Sequence, residues 1–108
     1  MDQKIPVQLK KFIEKSRKAL DPQKIILFGS RVRTDYLIES DYDIVIVADR
    51  FQEWDYHDRI VNTLKLMKPT FPVDLICVTP KEFNARKKQI SIIQEAVREG
   101  VVLYEHNA

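Results

Sequence analysis

The sequence predicts a small α/β (α+β) fold: one mixed β-sheet of about four strands with helices packed on it. Three observations predict it. The runs KIILF, DIVIVA and FPVDLICV are short, apolar and rich in branched residues, as strands covered on both faces are. Longer segments between and around them repeat their apolar residues at helical spacing. The two kinds alternate along the chain, which is the pattern of a layered α/β structure.

Each element follows from local signals. Over 7–20, Leu9, Phe12, Ile13 and Leu20 form one helical stripe, and Asp21-Pro22 ends it. The run 24–28 reads as a buried strand that meets a turn at Gly29, and 43–48 as a second strand. Between them a turn or short helix is expected. Over 52–67, Trp54, His57, Ile60, Val61, Leu64 and Met67 share a stripe, predicting a second long helix. A third strand spans 71–78. Thr79 can then cap, and Pro80 can open, a helix running to residue 99 on the stripe Phe83, Ile90, Ile93 and Val97. Gly100 is placed as its C-terminal stop, and 101–104 closes the sheet as a fourth strand.

Composition narrows the function classes. A chain of 108 residues, 44% hydrophobic and 31% charged, fits one globular domain spanning 1–108. No apolar run approaches the roughly 20 residues of a membrane helix. The N-terminus has charge scattered among its apolar positions and does not read as a signal peptide, so the expected location is cytoplasmic. Cys77, the single cysteine, lies within an apolar strand and reads as a buried thiol. The net charge of +2 is too small to argue for nucleic acid, and no helix-turn-helix or aromatic-basic surface suggests sequence-specific DNA binding. Charge is nonetheless uneven. Eight acids lie between Asp35 and Asp58 against Arg50 alone, while bases gather in the first helix and at Lys81, Arg86, Lys87 and Lys88.

The chemistry-bearing stretch is GSRVRTDYLIESDYD, residues 29–43. A Gly-Ser pair after a buried strand lets a ligand approach the backbone, and its hydroxyl and N–H groups can hold phosphate oxygens. If Asp43 opens its strand, Asp41 and Asp43 project to one face and repel unless a cation lies between them; the alternatives are a solvated pair at the strand entrance, or Ser40 and Asp41 as turn formers. Hard divalent ions such as Mg²⁺ take such oxygens and share them with substrate phosphates. Asp74 interrupts the otherwise apolar third strand; beside the Asp43 strand it would join the pair, whereas on a solvent-facing edge it would need no partner.

Gly29-Ser30, ten residues, Asp41-Tyr42-Asp43, then Asp74 on a later strand resembles the DNA polymerase β nucleotidyltransferase superfamily, in particular its minimal nucleotidyltransferase (MNT) members. Gly100-Val101-Val102-Leu103-Tyr104 looks like the family's closing strand. The stretch departs from the family at Thr34 and Tyr36, where a glycine and a small residue are common. The resemblance implies transfer of a nucleoside monophosphate, first choice AMP from ATP, to a hydroxyl. In that scheme Asp41, Asp43 and Asp74 are catalytic and hold two Mg²⁺ ions, with Asp74 also a candidate general base. Gly29 and Ser30 bind the triphosphate, with Arg31 and Arg33 as further phosphate contacts. It also implies a HEPN-type helical partner protein, with this chain as the antitoxin of a toxin–antitoxin pair, and leaves room for a homo-oligomer. The alternative is a catalytically weak or inactive module of the same fold that acts by binding its partner. A phosphohydrolase with an Asp-x-Asp nucleophile fits less well, because there the carboxylates follow a strand and here they precede IVIVA.

Overall fold

Four β-strands form one mixed sheet with helices on both faces in the computed structural model of the chain, which describes residues 7–29, 42–89 and 91–106. The elements are α1 (Val7–Leu20), β1 (Lys24–Phe28), β2 (Tyr42–Val47), a 3-10 turn (Asp49–Glu53), α2 (Tyr56–Met67), β3 (Val73–Val78), α3 (Pro80–Arg86), α4 (Ile92–Glu99) and β4 (Val101–Glu105). The strand order is β3-β2-β1-β4, with β1 antiparallel to both β2 and β4, and β2 parallel to β3. The expected fold class is therefore the observed one. No described helix is long and apolar enough to cross a membrane.

The central strand explains the unbroken apolar run. Tyr42, Ile44 and Ile46 point into the core beneath α1 and α2, with Leu9, Phe12, Leu20, Phe51 and Met67. Val45 and Val47 point the other way and cluster with Phe83 of α3 and Ile93 and Ala96 of α4. Alternation sends successive side chains to opposite faces, and here both faces are covered, so no polar alternation is needed. Ile44, Val45 and Ile46 are each 0% exposed. The two cores enclose the sheet.

Three boundary expectations are corrected. The predicted helix 52–67 is instead a 3-10 turn followed by α2, which starts after Asp55 because that carboxylate accepts the Asp58 N–H as an N-cap. The buried positions of α2 are Arg59, Thr63 and Met67, while His57 is exposed and Leu64 lies at the margin. Apolar spacing misplaced this stripe because the buried Arg59 is polar. Its guanidinium donates to Cys77 O, to Trp54 O and to both carboxylate oxygens of Glu82, and so satisfies itself inside the fold.

The predicted helix 81–99 is likewise two helices. Thr79 and Glu82 close a capping box at α3, and Ser91 caps α4 by accepting from the Gln94 N–H. A second cap in mid-segment restarts the helix, in which Ile93 and Ala96 are buried while Val97 is 45% exposed. Ile90, the remaining stripe residue, lies outside the described residues. Gly100 ends α4 with φ −83°, not in a left-handed turn. Its requirement is space: an added Cβ would lie 2.3 Å from Ala96 O, 2.6 Å from Ile26 Cγ2 and 2.9 Å from Leu27 O. The third strand starts at Val73, two residues later than expected. Phe71 belongs to the core instead, edge-on to Phe12 and to Tyr42.

Candidate functional site

Gly29, Asp43 and Asp74 meet at one end of the sheet. Phe28, the last residue of β1, pairs with Asp43, and Asp43 pairs in parallel register with Asp74. The two aspartates therefore stand on adjacent strands, about 4.8 Å apart. Alternation from Val45 and Val47 in β2, and from Ile76 and Val78 in β3, puts both on the sheet face that carries α3 and α4. Both lie at the N-terminal ends of their strands, ahead of the part that these helices bury.

Exposure separates the pair. Asp43 is half-buried, while Asp74 is exposed on β3, an edge strand. Solvent access thus explains how Asp74 interrupts an apolar run without cost. Adjacency to Asp43 is the second fact, and it is the one with chemical consequence.

Gly29 has φ +82°, a left-handed conformation that side chains other than glycine adopt at a penalty. A Cβ here would lie 2.1 Å from Asp43 Oδ2, 3.1 Å from Cγ and 3.3 Å from Cβ of the same residue. The space above Gly29 thus holds the Asp43 carboxylate. Among the described residues the nearest occupant of that space is a side chain fourteen residues later in the chain. The positive φ was foreseeable, whereas the Gly29–Asp43 contact depends on how β1 and β2 pair.

Of the residues picked from the sequence, Gly29, Asp43 and Asp74 are brought together. Asp41, Ser30, Arg31 and Arg33, with Thr34 and Tyr36, lie outside the described residues. Among the described residues no group of three His, Cys, Asp or Glu side chains is assembled, so the described part of the site is a pair of carboxylates. That pair fits a hard divalent cation in kind: its donors are carboxylate oxygens on neighbouring strands, and one is seated in a cradle that a Cβ would fill. Near neutral pH two such carboxylates repel, by about 1 kcal/mol for full charges some 4 Å apart in water, and a cation between them removes that repulsion.

The opposite end of the parallel pair is structural. Arg59 and Glu82 form a two-pronged ion pair, with NH1 to Oε1 at 2.7 Å and NH2 to Oε2 at 3.3 Å. The hydrogen bonds from Arg59, helped by the Thr79 contacts, outweigh the opposing effect of burial and hold the Glu82 carboxyl below the usual carboxylate range. Beneath them Cys77 is buried, and desolvation pushes its thiol up to about 12. A thiol so placed is no nucleophile.

Comparison with known proteins gives the following likenesses. The sequence profile of the family described as "Polymerase beta, Nucleotidyltransferase" matches residues 8–108. A protein of Methanocaldococcus jannaschii named "Putative protein adenylyltransferase" is 40% identical over 82 residues, which are 76% of this chain and 78% of that one. A crystal structure titled "putative nucleotidyltransferase", from Sulfolobus solfataricus, superposes with a TM-score of 0.65 at 24% identity, covering 92% of this chain and 78% of that one. BolA1 of Arabidopsis thaliana superposes with a TM-score of 0.57 at 20% identity, covering 72% of this chain and 98% of BolA1. At such identities the two superpositions speak for the fold alone, and fold is shared more widely than chemistry.

Proposed function

The chain belongs to the polymerase β nucleotidyltransferase family, and we propose that this nucleotidyltransferase transfers AMP from ATP to a hydroxyl group on a protein, with Mg²⁺ bound at Asp41, Asp43 and Asp74. The observation that carries the reading is the juxtaposition of Asp43 and Asp74 over Gly29. Protein as acceptor is taken from the name of the 40% identical relative.

In the proposed reaction the acceptor oxygen attacks the α-phosphorus. A new phosphorus–oxygen bond forms, the bond from α-phosphorus to the oxygen bridging to the β-phosphate breaks, and pyrophosphate leaves. Divalent ions, when bound, lower the pKa of the acceptor hydroxyl and neutralise charge on the transferring and departing phosphates. The chain's own residues do the rest. Asp43, buttressed at Gly29 and flanked by the sheet, is the fixed carboxylate. Asp74, one strand over and open to solvent, is assigned the acceptor's proton. Ser30, Arg31 and Arg33 follow Gly29 directly and are assigned to the triphosphate. Since phosphoryl and nucleotidyl transfers rely mainly on positioning and charge neutralisation, a rigid sheet end is a suitable place for them.

For the partner we propose a HEPN-type helical protein, this chain acting as the antitoxin that adenylylates it. The test uses ATP labelled on the α-phosphate, incubated with this chain, Mg²⁺ and the candidate partner. Label should appear on the partner and disappear with Asp41→Ala or Asp43→Ala. Undiminished labelling in those variants would sink the assignment. A stable complex without Mg²⁺–ATP binding in calorimetry would instead establish a binding module.

A further inference from the structure

A groove of about 310 Å³ opens between the start of α1 and the end of α2, with Lys11, Lys15 and Lys68 among its walls and Phe12, Met67 and Phe71 beneath. Among the described residues no carboxylate lines it. The basic first helix, which the nucleotidyl-transfer site does not use, supplies two of these lysines. Lys15 Nζ donates to Met67 O at 3.1 Å, which fixes one ammonium at the end of α2. Lys11 and Lys68 stand exposed on the rim.

The position matters as much as the charge. Phe71 packs at 5.1 Å on Tyr42, the first residue of β2 and the neighbour of Asp43, and the Tyr42 N–H donates to Pro72 O. Groove and carboxylates therefore occupy the same end of the sheet, the groove on the α1/α2 face and the carboxylates on the other. Asp74 lies on β3, the edge strand that begins two residues after Phe71 of the groove.

We propose that this groove docks an acidic segment, carrying an apolar side chain, of the protein that receives the nucleotide. The inference rests on the reading that the acceptor is a protein. At the small end of ligand-cavity volumes and open to solvent, the groove suits one or two side chains of a macromolecule better than an enclosed small ligand. Its lysines complement carboxylates, and Val7 on its wall, 68% exposed, complements an aliphatic or aromatic group. Single-stranded nucleic acid is the poorer match. Bases stack on exposed ring faces, but Phe12 and Phe71 are 2% and 9% exposed and turned edge-on to each other.

The experiment is an NMR titration of the isotope-labelled chain with the acetylated, amidated peptide Glu-Phe-Glu-Leu-Glu. Shifts should concentrate in residues 7–15 and 67–71. The same peptide with Lys for Glu should leave them unmoved, as should inorganic phosphate and a single-stranded oligonucleotide. Lys11→Glu with Lys68→Glu should weaken peptide binding by about tenfold or more, because two rim attractions become repulsions. Asp74→Asn should bind the peptide as the wild type does. Equal response to the lysine peptide, to phosphate or to the oligonucleotide overturns the proposal, as does no response to any of them. Because peptide binding needs no ATP, its failure with AMP transfer intact removes the groove alone; loss of transfer to any protein removes the reading beneath it.

Discussion

Substituting Gly29 with alanine tests the contact on which the site is built. The new Cβ would lie 2.1 Å from Asp43 Oδ2, and ordinary contact begins near 3.4 Å, so the carboxylate must retreat by more than about 1 Å. Among the described residues, the three nearest atoms all belong to the Asp43 side chain, which can swing away, and none is backbone. Folding thus survives at moderate cost. Holding alanine at φ +82° costs about 1–2 kcal/mol. At roughly 4–8 °C per kcal/mol for a chain of this size, the thermal midpoint should fall by about 5–15 °C. Activity should suffer far more, because a 1 Å misplacement of a positioning group can cost about 100-fold in rate. The assay pairs a thermal melt with the rate of AMP incorporation well below that midpoint, alongside Asp43→Asn. Gly29→Ala should be folded and reduced in transfer by about 100-fold, close to Asp43→Asn. If Gly29→Ala transfers AMP at nearly the wild-type rate while Asp43→Asn does not, the cradle is irrelevant and the reasoning fails.

Four further predictions concern Asp74 and the Arg59–Glu82–Cys77 end of the sheet. Asp74→Asn should abolish transfer yet leave the metal-free protein as stable or more stable by up to about 1 kcal/mol, since it removes repulsion with Asp43; chemical unfolding in chelator reads this directly. Arg59→Ala should cost about 2–3 kcal/mol in urea unfolding, because it strands Glu82 and the carbonyls of Trp54 and Cys77, and Arg59→Lys should rescue little without the two-pronged geometry. The depressed Glu82 carboxyl contributes stability that is present above the ordinary glutamate pKa and lost as pH falls through the folded value, so Glu82→Gln should flatten the acid limb of a stability–pH profile below about pH 4.3. A wild-type profile equally flat would contradict it. Cys77, with its thiol pushed up to about 12 and fully buried, should react with iodoacetamide only as fast as the protein opens; modification rates that ignore added denaturant would refute this.

Strands and α1 were legible because burial writes itself directly into composition. A run such as KIILF or DIVIVA has nowhere to go but the interior, and Asp21-Pro22 after a helical stripe can only end it. The errors came where polar residues are buried or where a cap competes with apolar spacing. Arg59 occupies the inner face of α2 by virtue of Glu82, which lies 23 residues away, and no local period reveals such a partner. Ser91 restarts a helix within a segment whose apolar stripe appears continuous. Gly100 has the usual look of a helix stop, yet it is required by the approach of β1 to the end of α4.

The sequence by itself picked out the candidates, a Gly-Ser pair after a buried apolar run and an Asp-x-Asp ahead of the next, a choice that needs only residue types and spacing. Tertiary structure alone decided that Asp74 stands beside Asp43, because parallel register between β2 and β3 is set by packing on both sheet faces and not by either strand. It also decided what lies against Gly29. Pairing of β1 with β2 puts the Asp43 carboxylate where a Cβ would have been, so the glycine's missing side chain is the room in which that carboxylate sits.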